Sequence, residues 1–458
     1  MFVDRDRELA FLNEHYANAQ AELVVLYGRR RVGKTELLRT FCADKPHLFF
    51  VADLGTEAGQ LAVFTRQIGQ FTAGDPDLLA PFPTWEAAFY YLTRQTQGRL
   101  LVVLDEFTYL IDGNTALPSI LQKLWDTLLK DVDIMLVLCG SYVGIMEQEV
   151  LAYRSPLYGR RTGSWRLQPL PFWDARLLLS NFSAVDQVRA YAALGGVPAY
   201  LRQVDDRLTL LENIERKVLS MGEFLYDEPR FLLVQELRDP GRYFAVLEAI
   251  AGGRTRLNEI AQAARIAPNS VSFYLKTLQE MGLIDRVVPV TETTPNKSRW
   301  GIYQLTDHYF RFWFRFVYPN HSLLERGETA QVRRRIAEQL DQFTGPAFER
   351  ICQEWVWRHA ADRFDLTPQA VGHWWNRQEE IDVAAVGEAG MLLGECKWTT
   401  RPVGVNIWEE LQRKAQAVGV DGPVRYALFA RTGFTEALTR RAGEEGVALV
   451  GLEELVEG

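Results

Sequence analysis

The segment GRRRVGKT (28–35) matches G-x-x-x-x-G-K-[ST] at every fixed position. It lies between an apolar run, LVVLY, and a stretch with helical periodicity, ELLRTF. Residues of these types suit a polyphosphate. Gly28 and Gly33 let the backbone wrap closely, so its N–H groups point at phosphate oxygens. A helix starting near Lys34 adds its positive end. Lys34 supplies a cation for the β- and γ-phosphates, and Thr35 a hydroxyl ligand for Mg²⁺. The expected binding segment is Gly28, Arg29, Arg30, Arg31, Val32, Gly33, Lys34, Thr35 and Glu36. A second signal is RLLVVLDEF (99–107), an apolar run ending in two acids. Asp105 is expected to hold Mg²⁺, directly or through water, and Glu106 to polarise an attacking water.

A third constellation lies near the far end, in EEIDVAAVGEAGMLLGECKW (379–398). IDVAAV and MLLGECKW read as two strands around GEAG. A two-residue turn at Glu388–Ala389 pairs Gly387 with Gly390 and sets Asp382 opposite Glu395, with Lys397 on the same face. Two carboxylates about 5 Å apart repel by roughly 3 kcal/mol at an effective dielectric near 20. A divalent cation held by Asp382 and Glu395 removes that repulsion. Lys397 then orients water and steadies developing phosphate charge.

The elements that must position these residues follow from the hydrophobic pattern. The runs ELVVLY (22–27), HLFFVA (47–52), RLLVVLD (99–105) and DIMLVLC (133–139) are short and bounded by polar turns. They suit strands buried on both faces, and the helical stretches between them imply a parallel α/β sheet. The 458 residues suggest about three domains. The expected spans are 1–170 for the loop-bearing core, 171–239 for a helical lid, 240–318 for a compact helical unit with a hairpin, and 319–458 for a final α/β domain. A net charge of -8 excludes polyanion binding by bulk charge, so nucleic-acid contact must be local. Cys42, Cys139, Cys352 and Cys396 show no C-x-x-C spacing, which suits reduced thiols. The six histidines show no H-E-x-x-H. The start lacks a signal-peptide core, and no apolar run reaches the ~18 residues of a membrane span, so a cytoplasmic location without membrane partners is expected.

The order strand, GxxxxGKT, strand, LVVLDEF, strand, CGS resembles the AAA+/STAND ATPases. More narrowly it is similar to the prokaryotic archaeal-type ATPase family, through FVDRDRELAFL (2–12), YGRRRVGKTELL (27–38), CGSYVGIM (139–146), SPLYGRRTG (155–163) and GGVPAYL (195–201). The resemblance implies ATP and ADP as ligands with Mg²⁺. It implies that Ser141 senses the γ-phosphate, and that Arg160 and Arg161 are arginine fingers reaching a neighbouring copy of the chain. It also implies that Pro198, with Gly196, packs near the adenine, and that Arg5 and Glu8 border the base.

Residues 242–290 carry three helical segments, and GLIDRVVPV and RWGIYQLT form a hairpin around TETTPNKS: a winged helix-turn-helix pattern. Asn269 or Ser270 is expected to cap its third helix, with Lys276, Lys297 and Arg299 as phosphate contacts. DHYFRFWFRFVYP (307–319) interleaves aromatics with Arg311 and Arg315. With the two arginines four apart and every other face apolar, it reads as a buried helix rather than a base-stacking platform. The pattern Asp382…Glu395-x-Lys397 resembles the PD-(D/E)XK nuclease superfamily. That resemblance implies a helix acid, matched by Glu349 in GPAFERICQEWV, and a polar residue on a later helix, matched by Gln412. The combined expectation is a P-loop AAA+-like ATPase with helical lid, a winged helix and a restriction-endonuclease-like α/β domain. Mg-dependent ATP binding and hydrolysis would control DNA binding or cleavage by the C-terminal domain. Two rivals stand beside it: a nucleotide-dependent switch or scaffold with an inactive nuclease fold, and an ATP-sensitive winged-helix transcription regulator.

Overall fold

A computed structural model of the chain describes residues 3, 5–237, 239–419 and 422–457. The chain divides into two compact units, Met1–Pro169 and Leu170–Gly458.

The first unit is built on strands β1 (Glu22–Tyr27), β2 (His47–Val51), β3 (Leu100–Asp105), β4 (Ile134–Gly140) and β5 (Gly163–Arg166). Their order is β2-β3-β4-β1-β5, and every neighbouring pair is parallel. Parallel strands need crossover segments, and helices supply them. Leu23, Val25, Val102 and Leu104 pack into the core on one face. Val24, Leu26, Leu101 and Val103 pack into the core on the other. Burial on both faces is why these runs are continuously apolar. β5 escapes such a reading: its sequence GSWR has no apolar run, and it pairs with β1 alone. Because all five strands run the same way, the loop after β1, the acids at the end of β3 and Ser141 after β4 share one edge of the sheet.

The second unit contains helices Pro240–Ala251, Leu257–Ala263 and Pro268–Glu280, followed by an antiparallel hairpin of β6 (Ile284–Val287) and β7 (Ile302–Leu305). The third helix opens on Pro268 with Ala267 at its cap, not on Asn269 or Ser270. Proline has no N–H to lose at the first helical position, so the helix begins earlier than the capping residues suggest. The aromatic segment after the hairpin is helical and internal: Tyr309, Phe310, Phe312, Trp313, Phe314 and Phe316 are buried. Arg311 donates to the Phe343 carbonyl at 2.9 Å.

A helix at Thr329–Phe364 leads into β8 (Pro368–Trp375), β9 (Glu380–Gly387) and β10 (Gly390–Lys397). Then come helix Val405–Ala415, β11 (Val424–Ala430), helix Glu436–Glu445 and β12 (Val447–Gly451). The sheet order is β12-β11-β10-β9-β8. β8, β9 and β10 form an antiparallel meander, whereas β10, β11 and β12 are parallel. Gly387 pairs with Gly390 across the two-residue turn. The ladder ends at Val383–Gly394, one step before Asp382–Glu395. On the other side Gly372 pairs with Ala384 but Trp374 with Ile381, so β9 carries an extra residue at Asp382–Val383. This bulge replaces the direct opposition of Asp382 and Glu395 that regular pairing predicts; a bulge re-aims a side chain at the end of a ladder. Among the described residues no helix is long and apolar enough to cross a membrane.

Candidate functional site

Two clusters carry chemistry, one in each unit. In the first, Gly33 (φ 97°) and Arg31 (φ 71°) are left-handed among ordinary residues, the kind of alternation that turns successive N–H groups to one side. Gly28 has φ 155°, and a Cβ there would collide with the Leu167 carbonyl. Lys34 begins the helix Lys34–Cys42, and its ammonium donates to the carbonyls of Gly28 (2.7 Å) and Arg29 (2.9 Å). The lysine thus spans the loop it belongs to. Thr35 Oγ1 donates to Asp105 Oδ2 at 2.7 Å, although the two are 70 residues apart. Asp105 is fully buried, and its Oδ1 accepts the Glu106 N–H at 2.9 Å. Glu106 is itself left-handed, φ 52°, which is uncommon for a side chain with a Cβ and clusters at functional sites. Ser141 Oγ donates to Glu106 Oε1 at 2.9 Å, while Glu106 Oε2 is buried with no hydrogen-bond partner among the described residues. This network exists because β4 lies between β1 and β3, bringing Ser141 beside the acids.

The rest of the loop is braced. Val32 is buried and Glu36 exposed. The Arg5 guanidinium pairs with Glu8 (3.0 Å) and donates to the carbonyls of Val32 (3.1 Å) and Gln168 (2.9 Å). Its structural place is therefore as a support of the loop. Arg30 donates to the hydroxyls of Tyr109 (2.7 Å) and Tyr142 (3.0 Å), the second lying within CGSYVGIM and the first outside every motif. Arg160 forms a two-pronged pair with Asp126, 3.3 and 3.1 Å, within its own unit, and Arg161 is half-buried beside it. Pro198 belongs to the second unit, where it opens helix Pro198–Leu201.

In the second cluster, Glu395 is buried and accepts from Lys397 Nζ (2.8 Å) and Lys414 Nζ (3.0 Å), both on Oε1. Its Oε2 is buried and has no hydrogen-bond partner among the described residues. Asp382 Oδ2 accepts the Cys396 N–H at 2.9 Å, and the Asp382 carbonyl accepts from Gln353 at 2.7 Å. Gln412 bonds Glu445 instead, at 3.1 Å. The later helix contributes Lys414, two residues further on, which the sequence reading missed. Its signal is only visible in three dimensions: a lysine almost fully buried must have a carboxylate partner. Among the described residues no three His, Cys, Asp or Glu side chains gather as a metal cage. The orphaned Glu395 Oε2 and the nearby Asp382 still offer hard oxygens of the kind a divalent cation takes.

The electrostatics tie Glu349 to this cluster. Burial first, then the charges of Asp382 and Glu380, lift its carboxyl to about 8. Burial and then Glu395 lift Asp382 to about 6. Against the cost of burial, Glu395 raises Lys397 above the ordinary lysine range. His373, with Nε2 3.9 Å from Glu349 Oε2, is driven to about 4 by burial and Arg350. The signs differ. A raised acid adds stability below its unfolded value and loses it as pH climbs through its folded value. The depressed histidine adds stability above about 6.5 and loses it as pH falls through about 4. Between about pH 6.5 and 8 the folded Glu349 still binds a proton that its unfolded carboxyl has released. Glu349 by itself should therefore take about 2 kcal/mol from the stability of the metal-free protein across that window. Glu349→Gln should flatten the loss, read as the unfolding midpoint of the second unit against pH. An unchanged slope would place the proton elsewhere.

The parallel sheet with GxxxxGKT after β1, acids ending β3 and a helix-turn-helix beyond defines a P-loop α/β ATPase architecture. Residues 2–204 match an ATPase domain predominantly from Archaea, and residues 241–287 match the IclR helix-turn-helix domain. Residues 313–414 match a family described as archaeal bacterial proteins of unknown function. Over 434 residues the chain is 32% identical to the uncharacterized protein MJECL04 of Methanocaldococcus jannaschii, covering 93% of this chain and 94% of that one. The chain belongs to the same family as MJECL04 and carries an archaeal-type ATPase domain. A shorter likeness, 51% over 45 residues, is to the uncharacterized ATP-binding protein MJ0423 of the same organism, covering 10% of this chain and 76% of that one. Among solved structures, the Walker-type ATPase PABY2304 of Pyrococcus abyssi shares the fold, with TM-score 0.51 and 23% identity over 69% of this chain and 96% of that one.

Proposed function

We propose that the chain binds ATP with Mg²⁺ at Gly28–Glu36, hydrolyses it, and uses the cycle to control a nucleic-acid-acting C-terminal domain. The observation that carries the first part is the 2.7 Å contact of Thr35 with Asp105, a hydroxyl and a carboxylate presented together beside the loop. Both are hard oxygen donors, which fits Mg²⁺. When bound, Mg²⁺ neutralises charge developing on the phosphoryl oxygens. The chain's own groups do the rest. Loop N–H groups and the helix end receive phosphate oxygens. Lys34 exchanges its carbonyl partners for phosphate. Glu106, positioned by Ser141, orients the attacking water through its other oxygen. In the same reading Arg160 or Arg161 supplies positive charge to a neighbouring copy's nucleotide. The Arg160–Asp126 pair is partly exposed, so exchanging it for a phosphate is inexpensive.

Lys34→Ala should weaken binding of a fluorescent ATP analogue by about 100-fold or more, since a charge-assisted contact to a desolvated phosphate is lost. Affinity equal to that of the parent would reject the site.

The second part rests on Asp382, Glu395, Lys397 and Glu349. A helix, an antiparallel three-strand meander, a helix and a parallel strand surround them, an order that supports the restriction-endonuclease-like reading of this domain. Asp382 and Glu395 Oε2 would hold a divalent ion. Lys397 would orient water, and Glu349 would stand nearby as an acid. The domain limits 1–170, 171–239, 240–318 and 319–458 belong to this proposal.

A further inference from the structure

Between the winged helix and the β8–β9 turn lies a cavity of about 760 Å³ that includes Arg256, His373 and Glu349 in its walls. A second, of about 570 Å³, is bounded by Arg256, Arg299, Trp300 and Arg377. The two share Arg256 and the turn Asn376–Gln378, so they form one groove running from the wing toward the acid cluster. Arg256 braces it by donating to the carbonyls of Arg299 (3.0 Å) and Gly301 (3.1 Å). Arg299 and Arg377 are exposed, and among the described residues neither guanidinium has a carboxylate partner. Some arginines of this unit are neutralised, Arg189 and Arg431 by Asp341, Arg413 by Glu379 and Arg441 by Glu409 and Glu445; what sets Arg299 and Arg377 apart is that both line the same groove. Trp300 is half-buried at the same mouth, and no aromatic ring packs on it among the described residues.

We infer that this groove takes a single nucleic-acid strand, with phosphates on Arg299 and Arg377 and an unstacked base on Trp300. Paired guanidinium forks match phosphodiester oxygens, and an indole face is a sequence-tolerant platform for a base. Cavities of about 300–1,000 Å³ enclose small ligands, so there is room here for a nucleotide or two. The strand's path ends at Glu349 and His373, beside the carboxylates. The inference rests on the nucleic-acid reading of the second unit and adds the form of the substrate: an unpaired strand delivered past the wing.

The test is fluorescence anisotropy of a labelled oligothymidylate with full-length protein in EDTA, so that binding is read without cleavage. The parent should bind the single strand. Arg299→Ala with Arg377→Ala should weaken it about tenfold or more and flatten the salt slope by about 1.4, two phosphate contacts at ~0.7 each. Trp300→Ala should cost about fivefold or more, and Trp300→Phe should restore most of it. A parent without affinity for the single strand, or variants that bind as the parent does, would overturn the groove. A duplex of the same length that competes equally would also overturn it. Cleavage, read separately with Mn²⁺, tells the two ideas apart. A parent that binds and never cuts keeps the groove and loses the nuclease. A parent that cuts while the variants bind normally does the reverse.

Discussion

Glu106→Gln is expected to slow ATP turnover by about 10²–10⁴-fold, the range of a lost general base, while the nucleotide stays bound. Gln keeps the length and shape of the side chain. It can still accept from Ser141, now 2.9 Å from Oε1. What it lacks is a basic oxygen in place of Oε2, the atom left buried and unpartnered. Binding groups are untouched: Lys34, Thr35 and Asp105 form their own contacts. Phosphate release measured beside retained radiolabelled ATP separates the two effects. Turnover equal to that of the parent would remove Glu106 from the reaction, whatever its backbone geometry. Loss of ATP binding instead would mean that the left-handed turn at Glu106 shapes the pocket rather than the chemistry.

The second large effect concerns the hairpin. With Mn²⁺ and plasmid, Asp382→Ala and Lys397→Ala should each reduce cutting by about 10²–10³-fold or more, the cost of removing one electrostatic contact to a developing charge. Lys397 and Lys414 share one oxygen of Glu395, so Lys397→Ala leaves Glu395 partnered and the fold is expected to survive. Asp382→Ala removes a carboxyl whose burial raises it to about 6 and with it the acceptor of the Cys396 N–H, so the metal-free variant should lose about 1 kcal/mol or more, read as its unfolding midpoint. Reduced cutting in folded variants supports cleavage. A parent that never cuts leaves the switch or scaffold, and salt-sensitive binding to one operator would favour the transcription regulator.

Short-range patterns carried much of this protein. A glycine-lined loop, a continuous apolar run ending in acids, and a two-residue turn between alternating strands are each set by neighbours in the chain. That is why β1–β4 and the Gly387–Gly390 pairing were legible. β5 and β8 were not, because GSWR and PQAVGHWW lack an apolar pattern and are held by their partner strands.

What only tertiary structure decided lies between elements distant in sequence. The sheet order placed β4 between β1 and β3, which brought Ser141 to Glu106 across 35 residues. Packing of helix Val405–Ala415 chose Lys414 over Gln412, and one extra residue in β9 turned Asp382 out of a regular ladder. The wing meets the β8–β9 turn to make a groove that neither segment contains alone. Local periodicity fixes which side of an element a residue occupies. Which element then covers that side is settled by the burial of whole faces, and a single strand or helix does not encode it.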